Sequence, residues 1–227
     1  MVTSRPGGVS GAPYDTFNLG DHVGDDLAAV QANRARLARA VDGSSLVWMR
    51  QVHGDQVAVI GSSPPPQPPD CDALVTNTRG LALAVLIADC VPVLLADPVA
   101  GVIGAAHAGR EGVRRHVVAR TVEAMVELGA TPRRLDALLG PAICGRCYEV
   151  SQDLADEVES AAPGGATRTR TEAPGLDLRA ALAAQLSRLG VGQVVSDPRC
   201  TAEESSLFSY RRDGVTGRQA GVIWLPA

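Results

Sequence analysis

Residues 81–112 read LALAVLIADCVPVLLADPVAGVIGAAHAGREG, and the fold turns on how this stretch is parsed. Three apolar runs, 81–88, 91–96 and 102–106, are too short for helices of normal length and are rich in Val and Ile. Asp, Pro and Gly bound them, so they predict strands buried on both faces. Cys90 follows the first run and His107 follows the third. A thiol and an imidazole are thus delivered to the ends of neighbouring strands. His53, in RQVHG after another apolar run at 46–49, is a third candidate for the same site.

Outward from this stretch, the chain alternates strands and helices irregularly. Residues 25–41 predict a helix with Asp25 as N-cap, Leu27, Val30, Leu37 and Val41 on the inner face, and Gly43 past its end. Residues 46–60 predict a hairpin, with Gly54 and Asp55 in the tight connection and His53 at a strand end. SSPPPQPP at 62–69 is a proline-rich surface loop, and DALVTN at 72–77 is a short strand. After His107 an amphipathic helix is expected to run to Leu128, with Val113, Val117, Thr121 and Met125 inward and Gly129 as its stop. Its N-terminus would point free N–H groups back at His107, a geometry that favours an anion such as phosphate.

Further strands are expected at 135–139, 191–195 and 219–225. Helices are expected at 151–161, capped by Ser151, and at 177–189, capped by Asp177, with a polar loop at 163–174 between them. Some strands follow each other directly, and neither GxGxxG nor GxxxxGK[ST] occurs. The pattern therefore points to a mixed α/β or α+β domain rather than a doubly wound sheet.

Composition narrows the function classes. A chain of 227 residues with 45% apolar content predicts one core and a single domain over 1–227. No apolar run approaches the ~18 residues of a membrane span, and MVTSRPGG has no signal-peptide pattern, so the expected location is cytoplasmic. Five cysteines without regular spacing read as reduced thiols, and the Cys144–Cys147 pair lacks the second pair of a zinc ribbon, leaving packing thiols as its expected role. A net charge of −4 and 3% aromatics offer no footprint for nucleic acid.

His53, Cys90 and His107 suit zinc: two imidazoles and a thiolate leave a fourth tetrahedral position open, where bound water is acidified toward ~7. The same atoms also permit a metal-free reading, with Cys90 as nucleophile, His107 as its base and Asp89 orienting the imidazole. Four histidines in all are too few for an imidazole-rich copper oxidase. Arg5, Asn18, Arg34 and Arg211 are the candidate substrate-binding residues, the arginines as phosphate donors. The glycine-rich residues 1–24 are either a loop-rich cap or a loop packed beside the site.

The motifs TSRPGGVS, NLGDHVGDD, QVHG, DALVT, ADCVPVLLAD, AAHAG, GPAI, CYEV, LDL, CT, FSYRRDG and TGR, in this order over nearly the whole chain, resemble the YfiH/laccase-domain family. That family includes purine nucleoside phosphorylases and the so-called peptidoglycan editing factor. The resemblance implies a mixed α/β sandwich of central mixed-sheet strands with flanking helices. It implies a zinc site at His53, Cys90 and His107, and zinc-dependent phosphorolysis of adenosine, inosine or methylthioadenosine, with adenosine deamination at the same site. The implied partners are a purine nucleoside and phosphate, in a monomer or small homo-oligomer. A Cys-dependent amidase acting on cell-wall precursors is the alternative, and copper polyphenol oxidation is disfavoured. One departure stands out: the family usually reads HAGWRG, whereas Arg110 and Glu111 occupy the Trp and Arg positions here.

Overall fold

The computed structural model describes residues 1–41 and 44–227. The N-terminal half holds α1 (Leu27–Arg39), β1 (Ser45–Val47), β2 (Val57–Val59), β3 (Ala73–Thr76), β4 (Leu81–Ile87), β5 (Val91–Asp97) and β6 (Val102–Ala108). Then follow α2 (Arg110–Arg114), α3 (Val117–Glu127), a 3-10 turn (Pro132–Arg134), β7 (Asp136–Leu139) and α4 (Gln152–Ala161). The last stretch holds β8 (Ala166–Arg168), β9 (Pro174–Leu176), α5 (Leu178–Arg188), β10 (Gln193–Ser196), α6 (Tyr210–Asp213) and β11 (Gln219–Trp224).

Six strands form a mixed sheet in the order β10-β7-β5-β6-β3-β2, three form a second in the order β1-β4-β11, and β8 and β9 pair apart from both. The three runs of residues 81–112 are β4, β5 and β6, and all but one of their residues are buried. Alternation along each strand explains why they carry almost no polar side chain. In β4, Leu81, Leu83, Val85 and Ile87 pack into a core shared with Leu74, Leu94 and Ile103 of the larger sheet. Ala82, Ala84 and Leu86, on the opposite face, meet Phe17, Leu19, Leu37 and Val41 of the N-terminal segment and α1. In β5, Val91, Val93 and Leu95 face a third core containing Val122, Met125, Leu182 and Leu186 of α3 and α5. Each strand is therefore covered on both sides, and only apolar residues fit both. The layers run from α1, through the small sheet and the large sheet, to the helices α2–α5.

Where the sheets meet, Gly221 of β11 leaves no room for a side chain, since a Cβ there would come 2.8 Å from Pro92 Cβ. Leu95 sits at 0% exposure on β5, between β6 and β7. Leu95→Ala is expected to cost about 3 kcal/mol through lost burial and the cavity left behind. Chemical denaturation would measure it as a lower midpoint at unchanged slope.

Several expectations are corrected. The 46–60 hairpin does not form: β1 pairs parallel with β4 (Ser45 opposite Leu81), whereas β2 pairs parallel with β3 (Val57 opposite Ala73). The chain between them crosses from one sheet to the other, so Gly54 and Asp55 are part of a longer connection. The first helix is capped by Asp26, whose side chain accepts the Ala28 N–H. Asp25 instead accepts from Asn18 and from the Asp26 N–H. Leu27, at the first helical position, is 57% exposed, while Val30, Leu37 and Val41 are buried as expected. Gly43, expected past the end of this helix, lies outside the described residues.

The helix expected after His107 is two helices. The chain breaks at Arg115 and His116, where His116 takes a left-handed φ of 61°. Gln185 of α5 donates to the Val113 carbonyl beside the break, a carbonyl that also accepts the His116 N–H. Residues 163–174 are not wholly loop, because β8 and β9 form a small hairpin there. The caps at Ser151 and Asp177 form as expected, accepting the N–H groups of Leu154 and Ala180.

Candidate active site

Asp72, immediately before β3, organises the site. Its carboxylate accepts the backbone N–H groups of Val52, His53 and Gly54 at 3.2, 3.0 and 2.6 Å. These contacts hold the crossing segment, with His53 in a left-handed φ of 58°. Asp72 also pairs with His107 Nδ1 at 2.9 Å, and its carbonyl accepts the His107 N–H at 2.8 Å. One residue therefore positions both imidazoles. Burial opposes charge on Asp72, yet His107 and the Gly54 and Val52 N–H groups keep its pKa below the ordinary carboxylate value.

His107 lies within β6 rather than after it, because the strand runs on to Ala108. Cys90 ends the turn between β4 and β5, and Val91 pairs with Ala108, so thiol and imidazole meet at one end of the ladder. The preceding Asp89 adopts a φ of 93°, a region that L side chains rarely occupy. Its carboxylate accepts from Thr201 Oγ1 at 2.6 Å, Ser209 Oγ at 2.7 Å and the Arg211 N–H at 2.7 Å. The carboxylate oriented on His107 is thus Asp72 and not Asp89, which clamps the C-terminal segment against the site.

Donor atoms of His53, Cys90 and His107 lie within 4.8 Å of one another. The two rings meet edge to face, with centroids 4.8 Å apart at 73°. The backbone around them is cut to fit: a Cβ on Gly109 would come 3.0 Å from Cys90 Sγ and 3.2 Å from His53 Nδ1. Two nitrogens and one sulfur, with one imidazole braced by a carboxylate, form a donor set that can hold a divalent metal. Burial works against protonation of His107, but the Cys90 sulfur and the Asp72 carboxylate outweigh it and raise its pKa to about 9. In chelator-treated protein this interaction is expected to stabilise the fold fully below about pH 6.5 and to fade as pH rises through about 9. Metal binding requires a deprotonated imidazole, so metal affinity should rise over the same window. Thermal melts with and without metal at pH 6, 7.5 and 9 would measure both trends.

These residues open onto a cavity of about 880 Å³, large enough for a nucleoside-sized ligand. Arg34, Arg110, Arg211 and Arg218 line it, as do Trp48, Tyr148 and Tyr210. Arg34 lies over the Trp48 ring at 4.3 Å and pairs with Asp21 at 3.1 Å. Arg211 lies over Tyr148 at 5.1 Å and donates to the Glu149 carbonyl. Arg218 differs from both. It is half-buried, burial pulls its pKa down, and it has no carboxylate partner among the described residues. Among the described residues its guanidinium donates to the Thr216 and Gly217 carbonyls alone. Among the described residues Arg110 has one ion pair, with Glu111 at 3.4 Å, and its buried Nε makes no hydrogen bond.

Two further candidates lie outside the cavity lining. Arg5 is paired with Asp15 and Asp213 and covers Phe208 at 5.3 Å. Asn18 is fully buried, and its Oδ1 accepts the N–H groups of Gly20 and Arg218. It ties the N-terminal segment to the residue that carries the unpaired guanidinium. Asp72 was not singled out from sequence as a site residue, and Arg218 stood out only as one of the arginines of a C-terminal segment, with Arg211 and Arg212, that could clamp an anion or be a solvated hairpin. Each sits in a recognisable motif, DALVT or TGR, but nothing local marks Asp72 as the partner of a histidine on another strand.

A family model described as multi-copper polyphenol oxidoreductase laccase matches residues 1–226. A Mycobacterium tuberculosis protein named purine nucleoside phosphorylase is 56% identical over 99% of this chain and 91% of its own. A Deinococcus radiodurans protein of the same name is 47% identical over 99% of this chain and 88% of its own. Among solved structures, YlmD from Geobacillus stearothermophilus superposes with a TM-score of 0.92 at 33% identity, covering 100% of this chain and 91% of that one. YfiH from Bacillus licheniformis gives 0.90 at 30% identity, covering 99% and 91%. No helix among the described residues is long and apolar enough to cross a membrane. The mixed sheets and flanking helices are those of the solved structures, and the chain belongs to the multi-copper polyphenol oxidoreductase laccase family, the family of YfiH.

Proposed function

We propose that this chain is a zinc-dependent purine nucleoside phosphorylase, cleaving adenosine, inosine or methylthioadenosine with phosphate to a free base and a sugar 1-phosphate. The observation that carries the reading is one cavity with a nitrogen–nitrogen–sulfur donor set at one point and an unpaired guanidinium, Arg218, at another. The names of the full-length relatives support it. The donor set favours zinc over copper clusters: the two metal-capable groups among the described residues contain only two histidines between them.

His53, Cys90 and His107 would hold the ion, and Asp72 would fix the tautomer and direction of His107. Zinc at this point supplies a Lewis acid. Phosphate needs preorganised donors, and Arg218 offers a guanidinium not already neutralised, with Arg110 beside the site at the start of α2. Asp89 holds the segment carrying Arg211 in place as the cavity wall. Trp48, Tyr148 and Tyr210 offer ring surface for a planar base. Adenosine deamination, with water in place of phosphate, belongs to the same pocket. The five free thiols fit a reducing cytoplasm.

The test is purified protein with adenosine, with and without phosphate, read by chromatography for adenine and ribose 1-phosphate. Phosphate-dependent adenine release supports the proposal; none from zinc-replete protein overturns it. Arg218→Ala is expected to raise the KM for phosphate by about tenfold or more, the worth of a lost charge-assisted contact, with little change in the KM for nucleoside.

One observation favours a second reading. Cys90, His107 and Asp72 stand in the order of a thiol-hydrolase triad, with the imidazole braced by the carboxylate. A cell-wall amidase of that kind would survive chelation and lose activity on alkylation, whereas the zinc enzyme loses activity on chelation and regains it with zinc.

A further inference from the structure

A second group of thiols lies on the other side of the Asp89 clamp. Cys144 and Cys147 occupy the turn after β7, closed by the Cys147 N–H to the Cys144 carbonyl at 2.9 Å. Cys200 follows β10 and lies alongside through a bridge between Ala142 and Cys200. Donor atoms of Cys144, Cys147, Cys200 and Glu203 all fall within 4.8 Å of one another. We propose that these four residues form a second, structural zinc site, in which the ion ties the 144–147 turn to the 200–203 turn.

Three observations carry this. The first is the donor set. Three sulfurs and one carboxylate oxygen make four ligands, the number of a closed structural zinc site. Tetrahedral zinc–sulfur bonds place sulfurs about 3.8 Å apart, so the group needs to tighten by an ångström or less. The second is the backbone. The Cys144 N–H reaches Cys200 Sγ at 3.3 Å. That contact runs from the CxxC turn to a sulfur of the other turn, so the two turns already meet at their donor atoms.

The third is the charge around the fourth ligand. Glu203 Oε1 stands 3.4 Å from Cys147 Sγ, and Arg170 pairs with the same carboxylate. The Arg170 N–H also donates to the Arg146 carbonyl, so this cation is anchored to the CxxC turn and offsets part of the negative charge of the ligand set. A CxxC with no second pair was expected to be packing thiols. The fold completes it with a thiol and a carboxylate from a distant turn. The consequence reaches the first site, because Thr201, next to Cys200, is one of the three groups that hold Asp89 beside Cys90.

The test uses the full chain carrying His53→Ala and Cys90→Ala, which removes the first site and makes the outcome independent of the proposed reaction. The expected result is one zinc per chain by elemental analysis. On cobalt substitution, an intense sulfur-to-metal charge-transfer band of three thiolates should appear. Three thiols should resist a disulfide exchange reagent until a chelator is added. Adding Cys147→Ser should remove the zinc and the band. Thiol protection is also measured on the unsubstituted chain, so the test does not rest on the folding of any variant. Less than about a tenth of an equivalent of zinc, thiols equally reactive with and without chelator, or a disulfide among Cys144, Cys147 and Cys200 in freshly purified protein would each overturn the proposal.

Discussion

Cys90→Ala is expected to lower phosphorolysis of adenosine by about 10³-fold, with the fold intact. The side chain is only half-buried, so little packing is lost. What goes is the one sulfur among three donor atoms within 4.8 Å. A Lewis acid contributes several kcal/mol, and roughly 4 kcal/mol corresponds to three decades of rate. Asp72→Asn offers a graded companion. It keeps the shape but removes the charge that accepts three backbone N–H groups and braces His107. Loss of such outer partners costs about 10–100-fold in metal affinity or activity, so this variant should fall between wild type and Cys90→Ala. Rates measured across a zinc titration separate the two. Excess zinc should rescue Asp72→Asn in part and Cys90→Ala not at all. Equal rates for Cys90→Ala and wild type would remove the thiol from the reaction.

Gly109→Ala carries the second large effect, from a single added methyl. That carbon would stand 3.0 Å from Cys90 Sγ and 3.2 Å from His53 Nδ1. Gly109 is also the residue from which α2 starts, with an extended φ of −79° that alanine adopts freely. The substitution therefore puts no strain on the backbone. Its cost falls on the two donors, which must move apart, and displacement of a reacting group by about 1 Å can cost on the order of 10²-fold. The expected outcome is an activity loss of about that size and weakened zinc binding, with unfolding free energy within about 1 kcal/mol of wild type. An equally active Gly109→Ala would show that Cys90 and His53 need not stay this close.

Much of the fold could be read from β4, β5 and β6, because strands covered on both faces leave unbroken apolar runs bounded by turn residues. The caps at Ser151 and Asp177 were equally legible, since each is a local exchange between one side chain and an N–H three residues on. The false hairpin at 46–60 shows where local reading stops. His53-Gly54-Asp55 has turn-forming residues, but partner choice was settled by β4 and β3, which lie later in the chain. The break at His116 had no signal in apolar spacing, because Val113, Val117 and Met125 remain buried on both sides of it.

At the site, the sequence grouped His53, Cys90 and His107 by their positions at strand ends, and motif resemblance then pointed to the same three. It did not reveal Asp72, whose partners come from two other segments. Nor did it separate Arg34 and Arg211, which line the cavity with partners already in place, from Arg218, which has no negative partner among the described residues. Charge alone cannot distinguish an arginine held for packing from one left free for an anion, and that distinction appears only once the neighbours are known. The Arg110–Glu111 departure from the family pattern is now located as well. Arg110 faces the cavity, while Glu111 is turned to Arg114 and Arg115 of the same helical segment.

The central claim is that His53, Cys90 and His107 share one ion in the working enzyme. Crystals of the zinc-replete protein, grown from a preparation that releases adenine only with phosphate, would test it by anomalous scattering at the zinc edge. The account predicts a peak about 2.0–2.3 Å from the two nitrogens and the sulfur. An active preparation with no density among those three side chains would contradict it.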